Sequence, residues 1–461
     1  MHRPWFPATL FLLVLLGTGC ARVAFEDSAQ LPPIVPDYAG VTVPEGMAAL
    51  SFEMADGRPF RVERRRDGDT LFFSVRAWDR KTRRGVRYAP FKVYVSQDPI
   101  DPYIAYRLIE PSYEGWKEMG LYTRELATFR EHPIVTNRDN RGGCVNCHHF
   151  PSGDPSRMMF HARGAGGGTV FLDGDDARLI NLTTVGPRKQ GVYPAWHPSG
   201  RYIAFSSNAT HQSFPIYGHQ QVEVYDQSSD LILMDLQTDS VSVRPSVCGD
   251  ARMETFPAWS PDGSELYFCV ADSLSDVVDN RSRVHYRLEA IAFRDGQFDG
   301  DPYPVWQCDT LSVSFPRVNG KWMLFTAAAY GTFPIWHPEA DLYLMDLETG
   351  EAAPAEALNS LESDSYHSWS SNGRWLLFSS RRLDGRYTRL YIAHFDGEGH
   401  FGKPFLLPQK RYSHNVLRLK SYNVPEFVKG DPGRHSRAVS RLFAQRERPS
   451  SPSCSSSECS W

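Results

Sequence analysis

Cysteine is scarce, charge is balanced, and no apolar run is long enough to cross a bilayer. Eight cysteines in 461 residues are too few for a disulfide scaffold. Lys and Arg number 50 against 54 Asp and Glu, a net charge of −4. No global positive field exists to hold nucleic acid. The apolar run from Leu10 to Leu16 falls well short of the ~20 residues a spanning helix needs. There is no G-x-S-x-G elbow, no H-E-x-x-H pair and no spaced carboxylate pair above chance. GAGGG at 164–168 has neither the preceding strand nor the following Lys of a phosphate loop, and DGDD at 173–176 lacks the later Glu of a calcium loop.

Aromatic residues, in contrast, reach 13%, alongside 35 Gly and 33 Pro. That balance suits aromatic-rich strands cut by turns, not a helical bundle. Four segments repeat: YPAWHPSGRYIAFSSN from Tyr193, FPAWSPDGSELYFCVAD from Phe256, FPRVNGKWMLFTAAA from Phe315 and YHSWSSNGRWLLFSSR from Tyr366. Each is followed by a further strand-like run, so each unit holds several strands and a Gly turn. Units of this length mean propeller blades or a β-solenoid, and the aromatic and Trp positions are expected to fill the space between blades. The repeats resemble the WD-like propeller repeats of the TolB family. Trp196, Pro198 and Gly200, then Trp259, Pro261, Asp262 and Gly263, then Trp369 and Gly373 carry the resemblance, over about 185–410. It implies a mainly β, TolB-like propeller of five to six blades, and says almost nothing about function.

Before the repeats, LFFSVRAW (71–78) and PFKVYVSQ (90–97) alternate as strands. Trp116, Met119, Tyr122, Leu126 and Phe129 fall at helical spacing, which predicts a helix ended by Pro133. Residues 41–135 thus read as a small α+β module and 136–430 as the propeller. Residues 1–20 have the order of a signal peptide. Leu16-Gly17-Thr18-Gly19-Cys20 resembles a bacterial lipoprotein box, with its large apolar residue one place early. The resemblance implies export and lipidation at Cys20, a membrane anchor through acyl chains and a periplasmic or cell-surface location. Residues 21–40 then read as a tether, and 431–461, with its Arg cluster and Ser-rich end, as a disordered tail.

One motif carries chemistry. Cys144-x-x-Cys147-His148 is the attachment signature of c-type haem. Two thiols add to the two haem vinyl groups and the adjacent His148 reaches the iron. With eight Cys and fifteen His in the chain, a chance match is expected about 0.005 times. A thioredoxin-like pair lacks its βαβ context, and a Cys144–Cys147 disulfide is strained. A zinc site of Cys144, Cys147, His149 and His161 has the right ligand types but too long a His spacing. Cys248, Cys269, Cys308, Cys454 and Cys459 could supply a disulfide without an assignable pairing.

Aligning CHHFPSGDPSRMMFHARG with AWHPSGRYIAFSSNA puts the motif in the first blade, with Asp154 to Ser156 inserted and His161 where a sister blade has Phe205. A His in place of Phe needs a partner. His161 is the first choice of second axial ligand and Met158 the alternative. The expectation is an exported haem protein working in electron transfer or as a redox partner of other envelope proteins. Two rivals stand beside it: a protein-interaction scaffold with a structural or sensory haem, and a haem enzyme acting on a small oxidant.

Overall fold

A computed structural model describes residues 23–110, 117–164, 167–182, 191–214, 222–445 and 453–454. The signal-like segment and Cys20 lie outside them.

Six antiparallel units of four strands form the propeller, the third extended by Ser453–Cys454, which pairs in parallel with its outermost strand. Blade 2 runs Val145–His149, Arg157–Ala162, Gly168–Asp173 and Asp176–Ile180. Blades 3 to 6 follow in chain order, their innermost strands being Val192–Trp196, Arg252–Trp259, Ser312–Asn319 and Asp364–Trp369. Blade 1 is assembled from both ends of the chain. Tyr103–Ile109, Gly120–Glu125 and Glu131–Thr136 supply its outer three strands, and Ser421–Val428 its innermost. The sixth blade expected from the chain's flanks therefore draws on both of them.

The second strand of each blade buries one aromatic between neighbours: Phe160, Phe205, Phe268, Phe325, Phe378 and, in blade 1, Tyr106, all at 0% exposure. Burial of each removes on the order of 2–3 kcal/mol of apolar surface from water. The repeat tryptophans bridge blades as their spacing suggested. Trp259 Nε1 donates to Ala195 O at 3.0 Å and Trp369 Nε1 to Arg317 O at 3.2 Å.

Three expectations are corrected. The 116–129 helix is absent: the chain makes two strands joined by a tight turn. Glu125 N donates to Arg130 O at 3.1 Å, and the Glu125 carboxylate takes Thr128 Oγ1 at 2.7 Å. Both faces of Gly120–Glu125 are buried between neighbouring elements. The apolar positions therefore lose strand alternation and imitate a helical period. The N-terminal module is likewise all β: a six-stranded sheet that includes Thr70–Trp78 and Phe91–Ser96 and packs on blades 1 and 6. The described part of the 21–40 tether belongs to this module. Ala24–Asp27 pairs with Arg84–Arg87, and Tyr38 is fully buried.

The C-terminal tail also begins with structure. His435–Ala444 is a helix whose Ala438, Val439 and Phe443 pack with residues of blades 1 and 2. Its apolar side was hidden among the arginines that prompted the disordered reading. Cys248 is disulfide-bonded, while Cys144, Cys147, Cys269 and Cys308 are free thiols. Among the described residues no helix is long and apolar enough to cross a membrane.

Candidate functional site

Every innermost strand carries a bulge at the same place, and each bulge holds one non-glycine residue at positive φ. These are Cys147, Tyr193, Phe256, Phe315, Tyr366 and Val424, with φ between 31° and 58°. A left-handed residue costs about 1–2 kcal/mol, so all six blades hold a local strain. Bulges re-aim side chains, and these six stand around the central channel. The rings of Tyr193 and Phe256 lie 4.2 Å apart, Phe256 and Phe315 5.6 Å, Phe315 and Tyr366 5.1 Å. In blade 2 the aromatic is replaced by a thiol.

The registers correct the alignment drawn from sequence. His149 pairs with Met159 as Ala195 pairs with Ala204. The stretch between the paired residues, 150–158 against 196–203, is one residue longer in blade 2, not three. Cys147 therefore matches Tyr193, His148 matches Pro194, Phe160 matches Phe205 and His161 matches Ser206. The one-residue slip reverses which face each side chain takes. His161 does not stand in for a phenylalanine.

Cys144, Cys147 and His148 line one cavity of about 480 Å³ at the channel's first end, together with Asn146 and His149. That volume lies within the range of cofactor pockets. Asn140 Nδ2 fixes the approach to the motif by donating to Cys144 O at 3.0 Å and Arg163 O at 2.9 Å. A Cβ on Gly143 would collide with the Arg163 carbonyl, so only glycine fits before Cys144. Arg107, Arg163 and Arg317 bring three guanidinium groups to the cavity wall, and Tyr193, Phe315 and Tyr366 its aromatic surface.

His148 is 3% exposed. Burial first, then the Arg107 charge, push its imidazole down to about 3, while a hydrogen bond to the Ala105 backbone pulls the other way. Its Nε2 is buried with no hydrogen-bond partner, which leaves Nδ1 to bond Ala105. A neutral imidazole fixed through Nδ1, with Nε2 bare, is the arrangement of a metal-binding histidine. Burial likewise raises the Cys147 thiol.

The other predicted ligands are not brought to the cavity wall. His161 sits opposite Asn146 on the next strand, 5% exposed, with a buried, unpartnered Nδ1. Met158 packs in the apolar cluster of Phe150, Phe160 and Val428. Among the described residues no three His, Cys, Asp or Glu side chains converge as a metal site needs, which goes against the four-ligand zinc arrangement.

A second cavity, of about 400 Å³, opens at the channel's other end and shares His149, Arg317 and Val424 with the first. The boundary residues occupy equivalent register positions in the six blades: Glu426, His149, Ala195, Ala258, Arg317 and Ser368. Sequence reasoning missed this ring, because blade register is needed to see that a Glu, a His and an Arg share one level of the channel with three small residues. Burial lifts the Glu426 carboxyl to about 8, against the pull of Arg317 and of the Phe150 N–H. Burial, then the Arg317 and His148 charges, hold His149 down at about 3. Burial lowers Arg317 only to about 10, so it stays charged.

The fold and its channel define a six-bladed β-propeller. No family model matches the chain, and no curated protein matches it. Solved structures similar to it include TolB from Acinetobacter baumannii, at 14% identity over 81% of this chain and 83% of that one, TM-score 0.43. An oligogalacturonate lyase in complex with manganese is similar at 12% identity over 67% and 75%, TM-score 0.39. Kuenenia stuttgartiensis hydrazine synthase is similar at 12% identity over 73% of this chain and 48% of that one, TM-score 0.44.

Proposed function

We propose that the chain is an exported c-type haem protein that carries electrons in the cell envelope. One observation bears the weight: both cysteines of the C-x-x-C-H motif and its histidine line a single cavity, and His148 Nε2 is buried without a hydrogen-bond partner. Haem would supply one-electron chemistry at iron. The chain's own residues do the rest. Cys144 and Cys147 bind the macrocycle and His148 the iron. Arg107 and Arg163 suit the two propionate carboxylates, and Tyr193, Phe315 and Tyr366 wall the ring from water. Neither His161 nor Met158 lines that cavity, so a second iron ligand from His161, proposed ahead of Met158 for its unpartnered nitrogen, would require the Arg157–Ala162 strand to move. The signal-like segment and Cys20 support export and lipid anchoring, with other envelope redox proteins as partners.

The test is a haem assay on the exported, full-length protein. A covalent haem should survive denaturing electrophoresis and give a pyridine haemochrome spectrum, and Cys147→Ser should remove it. Correctly exported protein carrying zinc and no haem would overturn the reading.

A further inference from the structure

The ring between the two cavities holds an unbalanced charge. Arg317 stands inside the channel with its guanidinium 4.0 Å from the Phe315 ring centroid, and among the described residues no carboxylate forms an ion pair with it. Its described hydrogen bonds run to the Pro316 carbonyl, at 2.8 Å from Nη1, and from Trp369 to its own carbonyl. The ring's other ionisable side chains, Glu426 two blades away and His149 on the opposite blade, make no close pair with it, although Glu426 attracts it at longer range. Glu426 spends one oxygen on the Phe150 N–H at 3.1 Å, and its other lies 3.9 Å from His149 Nε2. Buried charges are ordinarily paired. Two more ring members carry unused polar atoms: Ser368 Oγ on the next blade and His149 Nδ1 on the opposite one are buried without a hydrogen-bond partner. The remaining two ring positions, Ala195 and Ala258, leave space where larger side chains would close the passage.

We infer that this ring binds a small anion, a carboxylate or oxyanion of a few atoms, which enters through the second cavity and pairs with Arg317 while hydrogen-bonding to Ser368 and His149. The guanidinium fork matches a carboxylate in two parallel hydrogen bonds. The site does not depend on haem, although it lies next to the cavity proposed to hold one. A haem propionate offers the same chemistry from the first cavity, so the experiment separates the two sources.

The probe is sodium formate, titrated calorimetrically into the purified full-length protein, with neutral formamide as control. A ligand of three heavy atoms is held to about millimolar at best. Formate should bind once per chain at about that level and formamide should not. Arg317→Gln should weaken formate at least about tenfold, and Arg317→Lys should recover part of the loss. Ala258→Leu, which fills the ring from another blade, should also weaken it. Circular dichroism and thermal melting establish that each variant is folded. Formate that fails to bind, or binds Arg317→Gln as well as the parent, overturns the inference. So does a change in haem spectrum in Arg317→Gln with no formate binding in the parent, which assigns the arginine to a propionate. Haem is assayed on the same protein. Formate binding without haem keeps the anion site and removes the haem reading instead.

Discussion

Blades 2 and 6 put a histidine at the same place, and the two histidines are used in opposite ways. His148 follows Cys147, and His367 follows Tyr366, each just after the positive-φ residue of an innermost strand. Each bonds the backbone of the preceding blade at an equivalent position, Ala105 for His148 and Leu324 for His367. His367 does so through Nε2, at 2.9 Å, and leaves Nδ1 idle. His148 leaves Nε2. Burial drives both imidazoles down to about 3, with Arg317 adding to the effect on His367 and Arg107 on His148. One blade position thus supplies a histidine anchored through Nε2 with Nδ1 idle and another with Nε2 left idle, each lining one of the two cavities. The difference lies in ring orientation and in the thiol next door.

The largest effect should come from exchanging these roles. His148→Ala should cut haem content at least about tenfold, or leave a high-spin spectrum, because iron loses its ligand. His367→Gln should keep the haem and cost about 1 kcal/mol in denaturant unfolding, the worth of one hydrogen bond. Equal haem loss in both variants would erase the contrast.

The helix that covers blades 1 and 2 tests the contrast next. Phe443 is 4% exposed and meets Phe160 edge-on at 6.3 Å. Phe443→Ala should destabilise by about 3–5 kcal/mol, read by urea unfolding. A loss below about 1 kcal/mol would mean that the helix is not part of the cooperative unit.

A third buried histidine sharpens the point through pH. Burial lowers His337, but hydrogen bonds to Glu223 and Glu339 more than offset it and hold the imidazole up at about 9. The folded value lies above the unfolded one. This contribution to stability is therefore complete below about pH 6.5 and is lost as pH rises through about 9. Thermal melts of His337→Gln should show a flatter decline than the parent between those limits. Parallel curves would show that the charged form is not what the fold favours.

The smallest signal is spectroscopic. His161 as second ligand leaves no sulfur-to-iron charge-transfer band in the oxidised protein. A band that vanishes in Met158→Ala and persists in His161→Ala would reverse the choice.

The propeller was legible because its repeats keep Trp259 and Trp369 at fixed offsets, and those indoles do bridge blades. The Cys144, Cys147 and His148 cluster was legible as a motif. Blade 2 was misregistered because PSG at 151–153 and at 198–200 matched letter for letter, while the hairpins differ by one residue. The Gly120–Glu125 strand was hidden because it is buried on both faces, which removes the period-two signal. The ring of Glu426, His149 and Arg317 could not be read at all. Its members come from three blades and 278 positions of chain, from 149 to 426 counted inclusively, and only the shared register aligns them.

The way blade 1 is closed sets an order of events in time. Its innermost strand, Ser421–Val428, lies far along the chain from the Tyr103–Ile109 strand it pairs with and is made after it. Until it arrives the other blades form an open arc, and the Cys144 and Cys147 thiols face a gap where the channel will be. A bulky group bound for those thiols meets least obstruction in that interval. Truncation before Ser421 would hold the arc open, and a faster-closing variant would shorten the interval. A group loaded onto the open arc would then be enclosed by the closure of blade 1 itself.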